Sequence, residues 1–301
     1  MPAYSSNEIV PCLWFDDQAE EAANFYISLF DNSEMNSVAH YNGEGEEIHG
    51  QPEGKVMTVD FKLADQSFLG LNGGPHFEFT TAVSFFVVCE TEEEVDQLWN
   101  ELLEGGSALM PLQEYNWSKK YGWVQDKYGL SWQLSLGRME DVGQKITPSF
   151  MYVSEDGQAE QAIELYTSLF EETNIVGIQH YEAGEEQPEG SVKHAQFSLG
   201  DQVFMAMDSS PEHAKFSFNE ALSFQILCDT QEQVDFYWDE LSRNGEESQC
   251  GWLKDPFGVS WQIVPTILPK IMNGDDTEKA KRATKAMLQM QKLDIATIEA
   301  A

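Results

Sequence analysis

The feature that most restricts the fold of this chain is a long internal repeat. PCLWFDDQAEEAANFYISLF, from Pro11, aligns with PSFMYVSEDGQAEQAIELYTSLF, from Pro148, through a shared Pro, an Ala-Glu pair, a Tyr and a closing Ser-Leu-Phe. Ala39-His40-Tyr41 then faces Gln179-His180-Tyr181, Gln51-Pro-Glu-Gly54 faces Gln187-Pro-Glu-Gly190, and Trp99 faces Trp238. GWVQDKYGLSWQL, from Gly122, matches GWLKDPFGVSWQI, from Gly251. A period of about 130 to 140 residues is much longer than a solenoid unit and implies two copies of one domain. The seam falls near Gly143, which gives expected boundaries of 1–142 and 143–268 for the copies and 269–301 for a separate tail.

Each copy has the same order of local patterns. VPCLWF is a buried strand, after which Ala22, Tyr26, Leu29 and Phe30 recur at helical spacing. SVAHY, VMTVDFKL and SFLGLN follow as strands, with Ala64-Asp65-Gln66 as a hairpin turn. TAVSFFVVC opens a second round, Val95, Leu98, Trp99 and Leu102 mark its helix, and Gly105-Gly106 ends that helix. ALMPLQ, GWVQD and LSWQLSL complete it. Two βαβββ rounds per copy predict an α+β fold, a curved and mostly antiparallel sheet with helices outside.

The 301 residues carry 52 Asp and Glu against 17 Lys and Arg, a formal net charge of −35. A surface of that sign repels phosphate, so nucleic acid and anionic membranes are not expected partners. Solubility explains the acidity most simply, and a life at high salt is the sharper alternative. No apolar run approaches the roughly 18 residues that span a bilayer, and MPAYSSNEIV has neither the basic start nor the apolar stretch of a signal peptide. The expected location is cytoplasmic. Cys12, Cys89, Cys228 and Cys250 lack CxxC spacing and are expected to be free thiols. The tail reverses the charge pattern. It holds six of the 17 basic residues, Lys270, Lys279, Lys281, Arg282, Lys285 and Lys292. The sequence predicts a single tail helix, capped near Asp276 or Thr277, with Ala283, Met287 and Met290 on one face. Such a helix would dock on an acidic surface of its own chain or of a second copy.

The motifs PCLWFDDQAEEAANFY, VMTVDF, LNGGPHF and GWVQDKYGLSWQ, and in the second copy KHAQFSLGDQ, QCGWLKDPFGVSWQIVPTILP and AMLQMQKLDIATIEAA, span nearly the whole chain. In them the chain resembles the PhnB-like family, also called 3-demethylubiquinone-9 3-methyltransferase-like, of the vicinal oxygen chelate (glyoxalase and bleomycin-resistance) superfamily. The resemblance implies that two βαβββ units curl into a cup that holds a small molecule. It also implies that a fused pair makes an intramolecular pseudo-dimer. Metal-using relatives place His or Glu on the first and last strands of each unit. Here those strands offer Leu13, Trp14, Phe150, Met151, Gln133 and Gln262. A neutral amide brings no charge to offset a cation's dehydration, so no cofactor is expected. A divalent metal is the alternative, with His194 as the best single ligand because the resemblance puts a histidine at its strand position.

The catalytic candidates are His194, opposite Thr58 in the other copy, and His76, opposite Glu212. The ligand-binding candidates are Gln133 and Gln262, Trp123 and Trp252, and Asn72 and Asp208, the last pair flanking the Asn-Gly-Gly-Pro and Asp-Ser-Ser-Pro turns. Strand alternation sends Trp132 and Gln133 to opposite faces, and Gln133 is the one placed in the cup. Each candidate also has a plain structural role open to it: tryptophans pack cores, strand histidines bond neighbours, and duplication alone preserves pairs such as His40 and His180. Cys250 takes the place of Tyr121 and has no adjacent histidine to activate it. The methyltransferase name finds no glycine-rich strand-to-helix loop in the chain. Three functions stay open: an enzyme acting on a small oxygenated molecule, a metal-free protein that sequesters a ligand, and a pseudo-dimer without a working cup. His194 against Thr58 and His76 against Glu212 show that the candidate sites of the two copies have diverged, and whether one cup or both work stays open.

Overall fold

The structure is a computed structural model that describes residues 8–155 and 157–301, with the backbone alone at 213–215. Four βαβββ units follow one another. The first comprises β1 (Ile9–Phe15), α1 (Ala19–Leu29), β2 (Glu34–His40), the short α2 (Glu46–His49), β3 (Val56–Leu63) and β4 (Gln66–Asn72). The second has β5 (Val83–Cys89), α3 (Glu92–Leu103), β6 (Ser107–Tyr115), β7 (Ser118–Gln125) and β8 (Ser131–Leu136), followed by the single turn α4 (Met139–Val142). The third runs through β9 (Ile146–Val153), α5 (Ala159–Leu169), β10 (Asn174–His180), β11 (Val192–Leu199) and β12 (Gln202–Ser209). The fourth is β13 (Leu222–Cys228), α6 (Gln231–Leu241), β14 (Glu246–Glu247), β15 (Trp252–Lys254) and β16 (Ser260–Pro265).

Local chemistry explains these boundaries. Thr91 accepts the Glu94 backbone N–H to start α3, and Thr230 and Gln233 form a reciprocal capping box at the start of α6. Ala64 and Asp65 both take positive φ, 48° and 66°, which matches the right-handed twist of the β3–β4 hairpin they connect. β1 is buried almost throughout because it lies in the middle of its sheet, between β13 and β4.

The sequence repeat and the compact units divide the chain differently. One unit comprises residues 79–218, and the other comprises 8–78 with 219–301. The first holds an eight-stranded sheet in the order β10-β11-β12-β9-β5-β8-β7-β6, and the second one in the order β14-β15-β16-β13-β1-β4-β3-β2. Each sheet therefore joins one βαβββ unit from each copy, with the antiparallel pairs β5–β9 and β1–β13 at the joins. The first and last strands within a unit pair in parallel and the remaining pairs are antiparallel, so the α+β class and the curved-sheet expectation hold. His194 consequently shares a sheet with Gln133, and Thr58 shares one with Gln262.

Helices cover one face of each sheet. In the 79–218 unit, Trp99 of α3 lies where a Cβ on Gly122 would come within 2.5 Å, and the Tyr152 and Tyr166 hydroxyls meet at 3.1 Å between β9 and α5. In the other unit Gly70 lies against Ala19 of α1. The absence of a side chain at Gly122 and Gly70 lets helix and sheet approach closely. The opposite face of each sheet is the one the resemblance assigns to the cup.

The tail differs from the expected single helix. It forms α7 (Ile267–Met272), α8 (Thr277–Met287) and α9 (Ile295–Ala300), with α8 capped by Asp276. The carbonyls of Met290 and Gln291 accept from the backbone N–H groups of Cys250 and Gly251, which ties the bend between α8 and α9 to the turn before β15 and prevents one continuous helix. Leu268, Ile271, Ala283, Leu293 and Ile298 bury against Val264, with Leu227, Met287 and Met290 packed beside them. Lys292 bridges Asp235 and Asp239 at 3.1 and 3.0 Å, Lys281 reaches Glu53 at 3.7 Å, and Asn42 donates to Thr284 at 2.9 Å. The basic tail thus docks on acidic groups of its own unit. Among the described residues, no helix is long and apolar enough to cross a membrane.

Candidate functional site

The cup of the 79–218 unit is built around Gln133. Gly122 faces the helices, so its neighbours Tyr121 and Trp123 face the cup. β7 and β8 pair Trp123 with Gln133 and Tyr121 with Ser135, while the parallel β5 places Phe86 beside Gln133. The Tyr121 hydroxyl donates to Gln133 Oε1 at 2.7 Å, and Gln133 Nε2 donates to Ser84 Oγ at 2.7 Å. Burial pushes the Tyr121 phenol above its ordinary range, so it stays protonated and able to donate. One Nε2 hydrogen of Gln133 and the Ser84 hydroxyl hydrogen remain available as donors. Trp123 donates to Ser131 Oγ at 2.6 Å, and Ser118 and Ser135 hydroxyls meet at 3.1 Å. Ser149 and Met151 lie on the same face, opposite the helix-facing Phe150 and Tyr152. Thr147, paired with Phe86, is fully buried, and its Oγ1 has no hydrogen-bond partner among the described residues.

His194 stands on the opposite wall. Four strand spacings, roughly 19 Å along the sheet, separate β11 from β8. Burial lowers its pKa, which keeps the imidazole neutral at pH 7.

The second cup repeats the glutamine and changes its surroundings. Gln262 Oε1 accepts from Gln225 Nε2 and its Nε2 donates to Ser223 Oγ, both at 2.9 Å. Cys12 bonds to Gln262 and Ser223, and its thiol is pushed up to about 11, chiefly by burial. Where the first cup has Thr147, Ser149, Ser135 and Tyr121, this one has Val10, Cys12, Val264 and Cys250. The tail cluster packs on Val264 and Leu227. Trp252 meets Trp14 edge-on at 6.0 Å, and Trp14 also touches Phe77 and donates to the Gly74 carbonyl at 2.8 Å. Trp14 is not among the candidates above; alternation along β1 and the bare Gly73 beneath its ring are the signals that point to it.

Three candidates sit outside the cups. Asn72 pairs with the helix-facing Phe15; its Oδ1 accepts from Ala19 at the start of α1, and its Nδ2 donates to the Val56 carbonyl. Asp208 accepts from Gln158, Ala159 and Val192 backbone N–H groups and does the same service for α5. These side chains hold helix starts to their sheets, because strand parity turns them away from the turns that follow. His76 lies exposed on the loop after β4. Asp126 and Asp255 go beyond turn formation. Besides two backbone N–H groups each, they accept the indole N–H of the buried Trp132 and Trp261 at 2.9 Å.

The cup donors match a divalent ion poorly. The first and last strands around the first cup supply Ser84, Phe86, Ser149, Met151, Gln133, Met205 and Met207, with no carboxylate. Among the described residues no group of three or more His, Cys, Asp or Glu is placed to hold a metal ion.

Comparison with known proteins places these features in a family. The model of the family described as 3-demethylubiquinone-9 3-methyltransferase matches twice, at residues 7–135 and 144–264. A PhnB protein from Bacillus cereus is 45% identical over 42% of this chain and 98% of its own, with a TM-score of 0.39. A Staphylococcus aureus protein is 33% identical over 46% of this chain and all of its own, with a TM-score of 0.18. Glyoxalase I from Zea mays is 10% identical over 89% of this chain and 95% of its own, with a TM-score of 0.55, a likeness of fold. No curated protein matches the chain. Two matches of one family model, which together cover most of a chain with a duplicated glyoxalase-like fold, make this chain a member of the 3-demethylubiquinone-9 3-methyltransferase (PhnB-like) family.

Proposed function

We propose that the cup of the 79–218 unit binds a small uncharged molecule through an oxygen acceptor, and that the cup of the other unit has lost this role. The observation that carries the reading is the buried chain Tyr121–Gln133–Ser84, whose two remaining hydrogens point the chemistry toward a carbonyl or ether oxygen. A mostly apolar wall with a few placed polar groups is the usual make-up of a small-molecule site, and Met151, Met205, Phe86 and Trp123 supply that wall. The corresponding second cup is poorer in hydroxyls, and the tail packs on part of it.

The donor set favours holding a neutral ligand over metal-assisted chemistry, so sequestration is the simplest activity for this cup. His194, neutral and on the facing wall, is the group that could accept a proton from a bound molecule if the cup also catalyses. Nothing in the two mixed sheets resembles the parallel, doubly wound sheet of the common adenosylmethionine enzymes. The family's methyltransferase name therefore does not enter the proposal.

The test is binding of small ketones, followed by calorimetry, to Gln133→Leu and Gln262→Leu proteins. Loss of affinity at least tenfold in Gln133→Leu with Gln262→Leu unchanged is the expected result. Equal affinity in Gln133→Leu and the unaltered protein would move the site elsewhere. Metal analysis of the same preparations adds a second check. Stoichiometric metal that disappears in His194→Ala would overturn the metal-free reading.

A further inference from the structure

The β6–β7 hairpin is where the two copies differ most in length. Gly106 to Gly122 covers seventeen positions, whereas Gly245 to Gly251 covers seven. In the second copy the tail at Met290 and Gln291 bonds to Cys250 and Gly251 in the turn before β15. In the first copy the extra length builds a protruding aromatic arm. Tyr115 stacks on Trp117 with ring centres 4.9 Å apart and planes 24° apart. Both rings meet Tyr121 edge-on, Tyr115 at 5.7 Å and Trp117 at 5.9 Å. The Tyr115 hydroxyl is occupied by the Pro111 carbonyl at 3.0 Å, which fixes that ring. Trp117, at 65% exposure, is the most exposed large apolar side chain among the described residues.

Tyr121 links this arm to the cup floor, since its hydroxyl is the donor to Gln133. The sequence of contacts from solvent inward is Trp117, Tyr115, Tyr121, Gln133 and Ser84. An exposed indole held beside the mouth of a cup by two tyrosine rings offers a flat face at a fixed place. A planar ring can cover that face while its oxygen reaches the donors on the floor, and a saturated ring of the same size packs there without the extra stabilisation of an aromatic pair.

We infer that the Tyr115–Trp117 arm forms an aromatic subsite at the mouth of the 79–218 cup, which selects ligands made of a planar conjugated ring bearing a carbonyl oxygen. The inference rests on the proposed binding role of that cup and adds the class of ligand.

Two ketones separate the two ideas, 2-acetylnaphthalene and 2-acetyldecahydronaphthalene, which share the carbonyl and the fused ten-carbon frame and differ in the planarity of the rings. Calorimetric titration of the full chain should give tighter binding of 2-acetylnaphthalene. Trp117→Ala should weaken it about two- to twelvefold, the range of an aromatic pair, while Trp117→Phe retains most of the affinity. 2-Acetyldecahydronaphthalene should lose less affinity in Trp117→Ala than 2-acetylnaphthalene does. Trp117 is exposed, so these changes leave folding intact. Equal affinity for the two ketones, or an unchanged 2-acetylnaphthalene affinity in Trp117→Ala, would overturn the aromatic subsite and leave the cup's binding role standing. Failure of both ketones to bind the unaltered chain would overturn both.

Discussion

Replacing Gln133 with Leu tests the central contact chain by stability alone, without a ligand. The side chain is 4% exposed and bonds at both ends, to Tyr121 and to Ser84, which are themselves buried. Leucine fills nearly the same volume, so no large cavity forms, but it leaves the Tyr121 hydroxyl and the Ser84 hydroxyl without partners. Each of the two buried orphans costs about 1–3 kcal/mol, and the added apolar burial returns roughly 1 kcal/mol, so a net loss of about 1–5 kcal/mol is expected. Tyr121→Phe alone strands only Gln133 Oε1 and should cost about 1–2 kcal/mol. In the double variant neither end of the Tyr121–Gln133 bond remains to be stranded. Its cost should therefore fall short of the two single costs combined by about 1 kcal/mol or more. Urea denaturation followed by tryptophan fluorescence and by far-ultraviolet circular dichroism gives the midpoints and slopes, and agreement of the two probes tests two-state behaviour. Strict additivity of the two variants would show that the hydroxyl and the amide do not support each other. The reading of this cup as a preorganised donor site would then fail.

Two further predictions concern His194 and the tail. Burial lowers the His194 pKa in the folded chain, so on acidification the unfolded chain takes up this proton first. Its contribution to stability is intact above the ordinary value of 6.5 and is lost as pH falls below it toward the folded value. His194→Gln should remove that part of the loss, seen as a smaller drop in urea midpoint between pH 7.5 and 5.5, and an identical drop in both proteins would refute the burial argument. Ile298→Ala, in a fully buried position of the tail cluster, should cost about 2–5 kcal/mol in thermal or urea unfolding, whereas a loss under about 0.5 kcal/mol would mean that the tail is not packed on its sheet.

Much of the site was legible where strand parity alone decides direction. Alternation put Gln133 in the cup and Trp132 in the core, and the Trp132 indole does bond to Asp126 on the helix side. The same rule, applied to Asn72 and Asp208, would have turned both toward the helices, but the glycine- and serine-containing turns beside them drew attention to the rim. Trp117 lay in a segment with no counterpart in the second copy, so the repeat gave no frame in which to judge it. Apolar spacing is local and predicts one tail helix, while the bend at 290–291 comes from hydrogen bonds to Cys250 and Gly251, about forty residues away.

The sequence by itself determined the four βαβββ units, the duplication and the family, because these depend on short-range periodicity, turn residues and matched motifs. Only the tertiary structure decided which units share a sheet. Each βαβββ unit presents an open strand edge that any copy of the same unit can complete, since the pairing is made by backbone groups that all copies carry. That choice joined β5 to β9 and β1 to β13, and it placed His194 across from Gln133 and left the tail with the other cup.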